Sequence, residues 1–97
     1  MRRQDVLQRL SASVGDMRGR FGVRNLQVFG SVARDEAGPQ SDVDVLVAFD
    51  GPATFDRYFG LKFFLEDLLG SPVDLVSEKA LRPELRGAVL GEAILVS

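Results

Sequence analysis

The stretch SDVDVLVAF, residues 41–49, carries a valine or phenylalanine at every second position from 43 onward, and this period predicts a long β-strand. In a strand, side chains two residues apart project from the same face. Asp42 and Asp44 are therefore predicted on one face of a sheet, and Val43 and Val45 on the other. Two neighbouring carboxylates repel each other and resist burial, and a bound cation would relieve both costs.

On either side of this strand, helix and strand patterns alternate along the chain. Helices are predicted from 5 to about 20, from Gly30-Ser31 onward, from about 53 to 69, and from Pro83 to the residue before Gly91. The signals are apolar residues at helical spacing, a proline suited to a first helical turn, and glycines that end helices. Apolar runs predict further strands at 25–29, 72–77 and 93–96. This order predicts an α/β (α+β) fold, a mixed sheet of about four strands with helices packed on it, in one domain spanning residues 1–97.

The predicted helix at 53–69 is rich in aromatic side chains. Phe55, Phe59 and Phe63 recur at four-residue spacing beside a stripe of leucines, which gives a broader apolar surface than one sheet face usually needs. A patch that binds a partner is the alternative. Packing in the core is the favoured interpretation.

The composition excludes several kinds of chemistry. The 97 residues include no cysteine and no histidine, so disulfides, thiolate catalysis, the usual zinc sites and histidine-activated nucleophiles are ruled out. A net charge of -2 gives no basic attraction for nucleic acid, and direct nucleic-acid binding is not expected. No apolar run reaches the length of a membrane span, so we expect no membrane association and a cytoplasmic protein.

Three further features lie at informative distances from the aspartate pair. Gly30-Ser31 follows a predicted strand and is separated from Asp42 by ten residues, and Asp74 lies in the middle of another predicted strand. Oxygen ligands without histidine or cysteine favour Mg²⁺ or Mn²⁺, which commonly bind carboxylates together with substrate phosphates. If the Asp74 strand neighbours the Asp42 strand, the three carboxylates could hold two metal ions about 3.5 to 4 Å apart.

In this arrangement the chain resembles the nucleotidyltransferases of the DNA polymerase β type. These are marked by Gly-Ser, about ten residues, Asp-x-Asp, and a later third aspartate. The MNT-type minimal nucleotidyltransferases, antitoxins of HEPN-domain ribonuclease toxins, are the most similar group. The likeness extends over nearly the whole chain, through the segments VFGSVAR at 28–34, SDVDVLV at 41–47 and VDLV at 73–76.

The resemblance implies two sets of site residues. The catalytic carboxylates and metal ligands are Asp42, Asp44 and Asp74, with Asp74 also helping to deprotonate the acceptor hydroxyl. The contacts to the triphosphate are Gly30, Ser31, Arg34 and Ser41. Two Mg²⁺ or Mn²⁺ ions and ATP, as the nucleotide donor, are the implied cofactors.

Two of these residues have simpler interpretations that the sequence leaves open. Arg34 could form surface ion pairs with the acidic residues that follow it, and Ser41 could bond its own backbone in a turn. The chain also departs from the family at Asp35, because many relatives have glycine between the arginine and Glu36.

The resemblance implies transfer of AMP from ATP to a hydroxyl, most plausibly of a tyrosine, on a cognate HEPN ribonuclease toxin. The chain would then act as an antitoxin within a hetero-oligomer. A non-catalytic antitoxin that neutralises the toxin by complex formation alone is the alternative. Transfer to a small molecule or to RNA is less favoured, because 97 residues leave little room for a second substrate-holding domain.

Overall fold

The computed structural model describes residues 2–38 and 41–96, and the α-helices and strands below are those of that part of the chain. The helices are α1 (Arg3–Ala12), α2 (Val14–Phe21), α3 (Gly30–Ala33), α4 (Phe55–Leu69) and α5 (Pro83–Glu92). The strands are β1 (Val23–Phe29), β2 (Val43–Phe49), β3 (Val73–Ser77) and β4 (Ile94–Leu95). A single 3₁₀ turn, Glu78–Ala80, follows β3. None of the described helices is long and apolar enough to cross a bilayer.

The four strands form one mixed sheet in the order β3-β2-β1-β4. Strand β1 pairs antiparallel with both β2 and β4, whereas β2 and β3 are parallel and are joined through α4. A parallel pair needs a long crossover, and a helix supplies it. The predicted fold class, a mixed four-stranded sheet with helices, is confirmed.

The main core lies between one face of the sheet and helices α1, α2 and α4. Its fully buried members include Leu10 of α1, Met17 of α2, Leu61 of α4 and Val45 of β2. Alternate positions of β2 point to the other face, where Leu46 is also buried. This second face of β2 is the one that begins with the aspartate pair.

Helix α4 agrees closely with its predicted range and differs in the role of its aromatic residues. The Thr54 hydroxyl accepts a hydrogen bond from the Arg57 N–H at 3.2 Å, which caps the first turn, and Gly70 ends the helix in the left-handed conformation at φ 66°. Phe55 and Phe63 are 75% and 62% exposed, so core packing is the wrong interpretation for these two side chains. Leucines such as Leu61 fill the core instead.

Two helix boundaries differ from the sequence prediction. The helix predicted from 5 to about 20 is interrupted at Ser13, whose N–H bonds the Leu10 carbonyl at 3.0 Å in a tighter turn. Helix α5 continues through Gly91 to Glu92, because the Ala93 N–H still reaches the Val89 carbonyl at 3.0 Å. Helix α5 carries no buried residue. Its side-chain polar contacts are made with α3, with Arg34 just after it and with the 3₁₀ turn, and the chain then continues into β4 of the sheet.

Candidate active site

The register of the sheet places two predicted site residues side by side. Asp44 of β2 pairs with Asp74 of β3 in the parallel ladder, and on its other side it pairs with Phe29 of β1. Each aspartate follows a core residue, Val43 or Val73, so both lie on the face opposite the main core. Neighbouring strands are about 4.8 Å apart, so the two carboxylates interact electrostatically.

The third predicted carboxylate, Asp42, lies immediately before β2. It is exposed, as is Asp74, whereas Asp44 is half-buried. The Val43 N–H donates to the Pro72 carbonyl at 3.0 Å, which ties this end of β2 to the start of β3. Within residues 2–38 and 41–96, no group of three or more carboxylates is drawn together tightly enough to form a ready-made metal site. The structure thus brings Asp44 and Asp74 together and leaves Asp42 on a neighbouring exposed position.

The electrostatics of Asp44 indicate a site with an excess of negative charge. The pKa of Asp44 is raised above its ordinary value, first because burial disfavours the charged form. The charges of Asp74, Asp42 and Glu92, in decreasing order, raise this pKa further, and Arg34 lowers it only in part. A partly buried carboxylate surrounded by like charge, with oxygen donors alone, fits a divalent cation such as Mg²⁺.

The turn between β1 and α3 requires glycine at position 30 for two reasons. Gly30 has φ 71°, in the left-handed region, and a β-carbon there would lie 2.0 Å from Oδ2 of Asp44. The positive φ strains any other residue, and the nearby Asp44 carboxylate leaves no space for a side chain. The predicted phosphate-contacting turn therefore lies directly against the predicted metal ligand.

Arg34 is held by two carboxylates. Its Nη1 donates to Oε2 of Glu92 at 2.7 Å, and its Nε donates to Oε2 of Glu36 at 3.2 Å. The other oxygen of Glu92, Oε1, accepts a hydrogen bond from the Gly30 N–H at 3.0 Å. These bonds from Arg34 and then from Gly30 lower the pKa of Glu92. The surface ion pair considered for Arg34 with Glu36 is present, and a second carboxylate joins it.

Glu92 is the site residue that the sequence did not reveal. It is 62 positions from Gly30 along the chain, in a segment where Gly91 was expected to end the helix. In the sequence, a glutamate near a helix end carries no signal of a distant partner. Only the position of α5 beside α3 shows its contact with the turn.

The two predicted serines have different local roles. Ser31 is half-buried in α3, and its carbonyl accepts a hydrogen bond from the Glu36 N–H at 2.8 Å. The Ser41 hydroxyl accepts from the Gly38 N–H at 3.0 Å, while the Ser41 N–H donates to the Gly38 carbonyl at 3.2 Å. The turn interpretation of Ser41 is therefore the one observed in this structure.

Asp35, which stands where many relatives have glycine, has a positive φ of 59°. This explains the family preference, because glycine adopts the left-handed region without strain and aspartate tolerates it better than most residues. Its carboxylate accepts a hydrogen bond from the Arg3 N–H at 3.4 Å. The side chain of Asp35 is thus engaged with the start of α1.

Comparison with known proteins agrees with this geometry. Residues 8–96 match the nucleotidyltransferase domain family. The protein adenylyltransferase MntA of Thermococcus cleftensis is 40% identical over 93 residues, which cover 96% of this chain and 94% of that protein. A solved structure provisionally described as a minimal nucleotidyltransferase is 46% identical with a TM-score of 0.82, and the match covers 97% of this chain and 95% of the other.

A more distant structure shares the fold. It is the tri-AMPylated Shewanella oneidensis HEPN toxin in complex with an MNT antitoxin, at a TM-score of 0.70 and 19% identity, covering 98% of this chain and 71% of that one. At this identity the likeness concerns the fold alone. The family match over most of the length and the 40% identity to a protein adenylyltransferase carry the conclusion that the chain belongs to the nucleotidyltransferase domain family and is an enzyme of the adenylyltransferase type.

Proposed function

We propose that residues 1–97 act as one domain that transfers AMP from ATP to a hydroxyl of a partner protein in the cytoplasm, with Mg²⁺ as the metal. The observation that carries this proposal is the adjacency of two features: the Asp44 and Asp74 pair in the sheet register, and the Gly30 turn packed against Asp44. A metal-bound triphosphate requires carboxylates that hold the metal and, beside them, a turn whose backbone can come close to the phosphates. The aspartate pair and the Gly30 turn have this arrangement.

Each residue of the proposed site has a role that fits its position. Asp42, Asp44 and Asp74 would hold the metal ions, which supply charge neutralisation for the phosphates and acidify the acceptor hydroxyl. The triphosphate would be held by Gly30, Ser31, Arg34 and Ser41. The Ser41 hydroxyl would first have to leave its present bond to the Gly38 N–H.

The proposed reaction is a displacement at the α-phosphorus of ATP. The acceptor oxygen forms a new bond to that phosphorus, the bond to the pyrophosphate breaks, and the hydroxyl proton passes to a carboxylate. Asp74 fits the role of proton acceptor because it is exposed and lies on β3, an edge strand that a second protein can approach. The products are an AMP ester of the acceptor and pyrophosphate.

We propose a HEPN-domain toxin as the partner and a tyrosine as its acceptor residue. Support for a protein acceptor comes from the 40% identical protein adenylyltransferase. Support for the toxin comes from the structural neighbour in which a tri-AMPylated HEPN toxin is bound to its MNT antitoxin. Large exposed apolar side chains, among them Phe55, Phe63 and Leu95, offer contact area for such a complex.

Intact mass spectrometry of both chains after incubation with ATP and Mg²⁺ tests this proposal. The sample is the protein together with its co-encoded neighbour. We expect the neighbour to gain one or more AMP units, and we expect no gain with the Asp42→Asn, Asp44→Asn double variant. Asp67→Asn, an exposed aspartate of α4, is the matched control and should label as the wild type does.

The alternative is an antitoxin that neutralises its partner by binding alone. It predicts a stable complex with no mass gain from any nucleoside triphosphate, and neutralisation that survives the double aspartate substitution. The first result would contradict the proposed transfer activity, and the second would show that neutralisation does not depend on it.

A further inference from the structure

The carboxylate of Glu92 occupies the position where the proposed function places a phosphate. Its Oε1 accepts from the Gly30 N–H at 3.0 Å and its Oε2 accepts from Nη1 of Arg34 at 2.7 Å. These two donors are the backbone and guanidinium groups assigned to the triphosphate. A carboxylate and a phosphate both present negatively charged oxygens to such donors, so only one of them can use the pair at a time.

We propose that Glu92 is an internal anion that holds Gly30 and Arg34 in the nucleotide-free protein and yields them to a phosphate group of the incoming triphosphate. The inference rests on the proposed function, because it takes the Gly30 turn and Arg34 as the phosphate contacts. It adds a regulatory step that the family resemblance does not contain.

The attachment of α5 makes such an exchange mechanically feasible. The exchange requires only that the Glu92 side chain, which is not buried, turns away from its two donors. The backbone that follows stays in place, because Ile94 of β4 pairs with Val28 and packs against the core. Earlier in the helix, Arg86 makes a 3.4 Å hydrogen bond to the Glu78 carbonyl and a 3.9 Å contact with the Glu78 carboxylate. Neither contact of Arg86 involves Gly30 or Arg34, so the loss of the Glu92 contacts frees these two donors without disturbing the rest of the helix.

Charge explains why the exchange favours the triphosphate once metal is present. Glu92 is one of the negative charges that oppose ionisation of Asp44. In the metal-free protein the charge of Glu92 is paired with Arg34, and the negative charges of Asp42, Asp44 and Asp74 are not neutralised. A triphosphate that enters with divalent cations accepts hydrogen bonds from Gly30 and Arg34, and its cations neutralise these aspartates as well.

The test is equilibrium binding of inorganic tripolyphosphate and of ATP, each with Mg²⁺ and without any acceptor protein. Glu92→Gln removes the charge and turns an amide donor toward the Arg34 guanidinium. We expect this variant to bind both ligands about tenfold more tightly, on the order of one charge-assisted hydrogen bond. Adenosine, which has no phosphate, should bind the two proteins equally.

Glu84→Gln is the matched control, because Glu84 lies on the same helix and carries the same charge, yet is exposed in the first turn. Its affinity for tripolyphosphate should change less than twofold. Thermal melting of each variant confirms that it is folded. Unchanged or weaker tripolyphosphate binding by Glu92→Gln would overturn the inference, and so would an equal gain in both variants, which would indicate a simple net-charge effect.

These outcomes separate the inference from the proposed function. Normal AMP transfer by Glu92→Gln with wild-type affinity for tripolyphosphate would reject the inference and leave the transfer activity standing. Tighter tripolyphosphate binding without AMP transfer by either protein would support the internal-anion role of Glu92 and reject the transfer activity.

Discussion

The α-carbon of Gly30 lies against the carboxylate of Asp44, so closely that a β-carbon on Gly30 would be 2.0 Å from Oδ2. This contact joins the turn that follows β1 to the strand that carries the predicted metal ligands. It exists because Phe29, the last residue of β1, pairs with Asp44 in the antiparallel ladder. A glycine is therefore needed both for the left-handed turn and for the distance between the two halves of the site.

Gly30→Ala should damage stability and function together. The left-handed backbone costs alanine about 1 to 2 kcal/mol, and Asp44 must move away from the new methyl group. We expect a lower midpoint in urea denaturation and loss of Mg²⁺-dependent triphosphate binding. Gly19→Ala is the control, because Gly19 lies in α2 with open space around it, and there alanine should stabilise by about 0.5 to 1 kcal/mol. Similar effects at the two glycines would contradict the close contact.

Asp44→Asn should stabilise the protein in the absence of metal. Because burial and the neighbouring charges raise the pKa of Asp44, folding favours its protonated form. The stability from this group is fully present below the unfolded pKa of about 3.9 and is lost as the pH rises through the folded pKa. In EDTA at pH 7.5 we therefore expect the variant to melt about 2 to 5 °C above the wild type.

The pH dependence and Mg²⁺ provide the controls for this prediction. The difference in Tm between variant and wild type should shrink below about pH 4, where Asp44 is protonated in both states. Added Mg²⁺ should raise the Tm of the wild type more than that of Asp44→Asn. A variant that melts below the wild type in EDTA at neutral pH would refute the destabilising role of this charge.

Much of the fold was predictable because it depends on local patterns. The alternation in residues 41–49 correctly identified β2, and Gly70 correctly marked the end of α4. The interruption at Ser13 and the exposure of Phe63 were not predictable, because both depend on how α1, α2 and α4 share a single sheet face. Helix α4 buries only the narrow stripe Leu61, Leu65 and Leu69, although its apolar residues extend over a broader surface.

The candidate site, like the fold, was predictable where it depends on local spacing and was not predictable where it depends on distant contacts. Asp42 lies immediately before β2 and Asp44 within it, two residues apart, so the period of two predicted a common face for them. The pairing of Asp74 with Asp44 needed the strand order, which the sequence offered only as a condition. Glu92 was beyond reach, because its contact with Gly30 spans 62 positions and involves no motif.

Asp35→Gly should stabilise the protein, although Asp35 makes a hydrogen bond in the folded state. The φ of 59° costs a residue with a β-carbon about 1 to 2 kcal/mol, and the 3.4 Å bond from the Arg3 N–H is long and exposed. We expect a net gain of roughly 0.5 kcal/mol from glycine and a loss from Asp35→Ala, which keeps the strain and loses the acceptor. Urea denaturation of the three proteins gives the comparison, and alanine equal to or better than glycine would show that the backbone is unstrained.

Asp74→Asn should separate catalysis from nucleotide binding. Asp74 is exposed on the edge strand β3, whereas Asp44 is half-buried beside Gly30, so we expect the two carboxylates to meet different parts of the substrate. A carboxylate that receives the acceptor proton contributes about 10² to 10⁴ to the rate. We expect Asp74→Asn to lower AMP transfer by about 10²-fold or more while Mg²⁺-dependent ATP affinity falls far less.

The assay for Asp74 combines single-turnover labelling of the partner with equilibrium ATP binding. Asp67→Asn, which removes the same charge from an exposed site on α4, should leave both measurements at the wild-type level. If Asp74→Asn lost ATP binding and transfer in equal proportion, Asp74 would act in holding metal and nucleotide rather than in accepting the proton. Transfer within threefold of the wild type would exclude Asp74 from the site altogether. Asp74 would then be a solvated carboxylate of an edge strand, with no catalytic or metal-binding role.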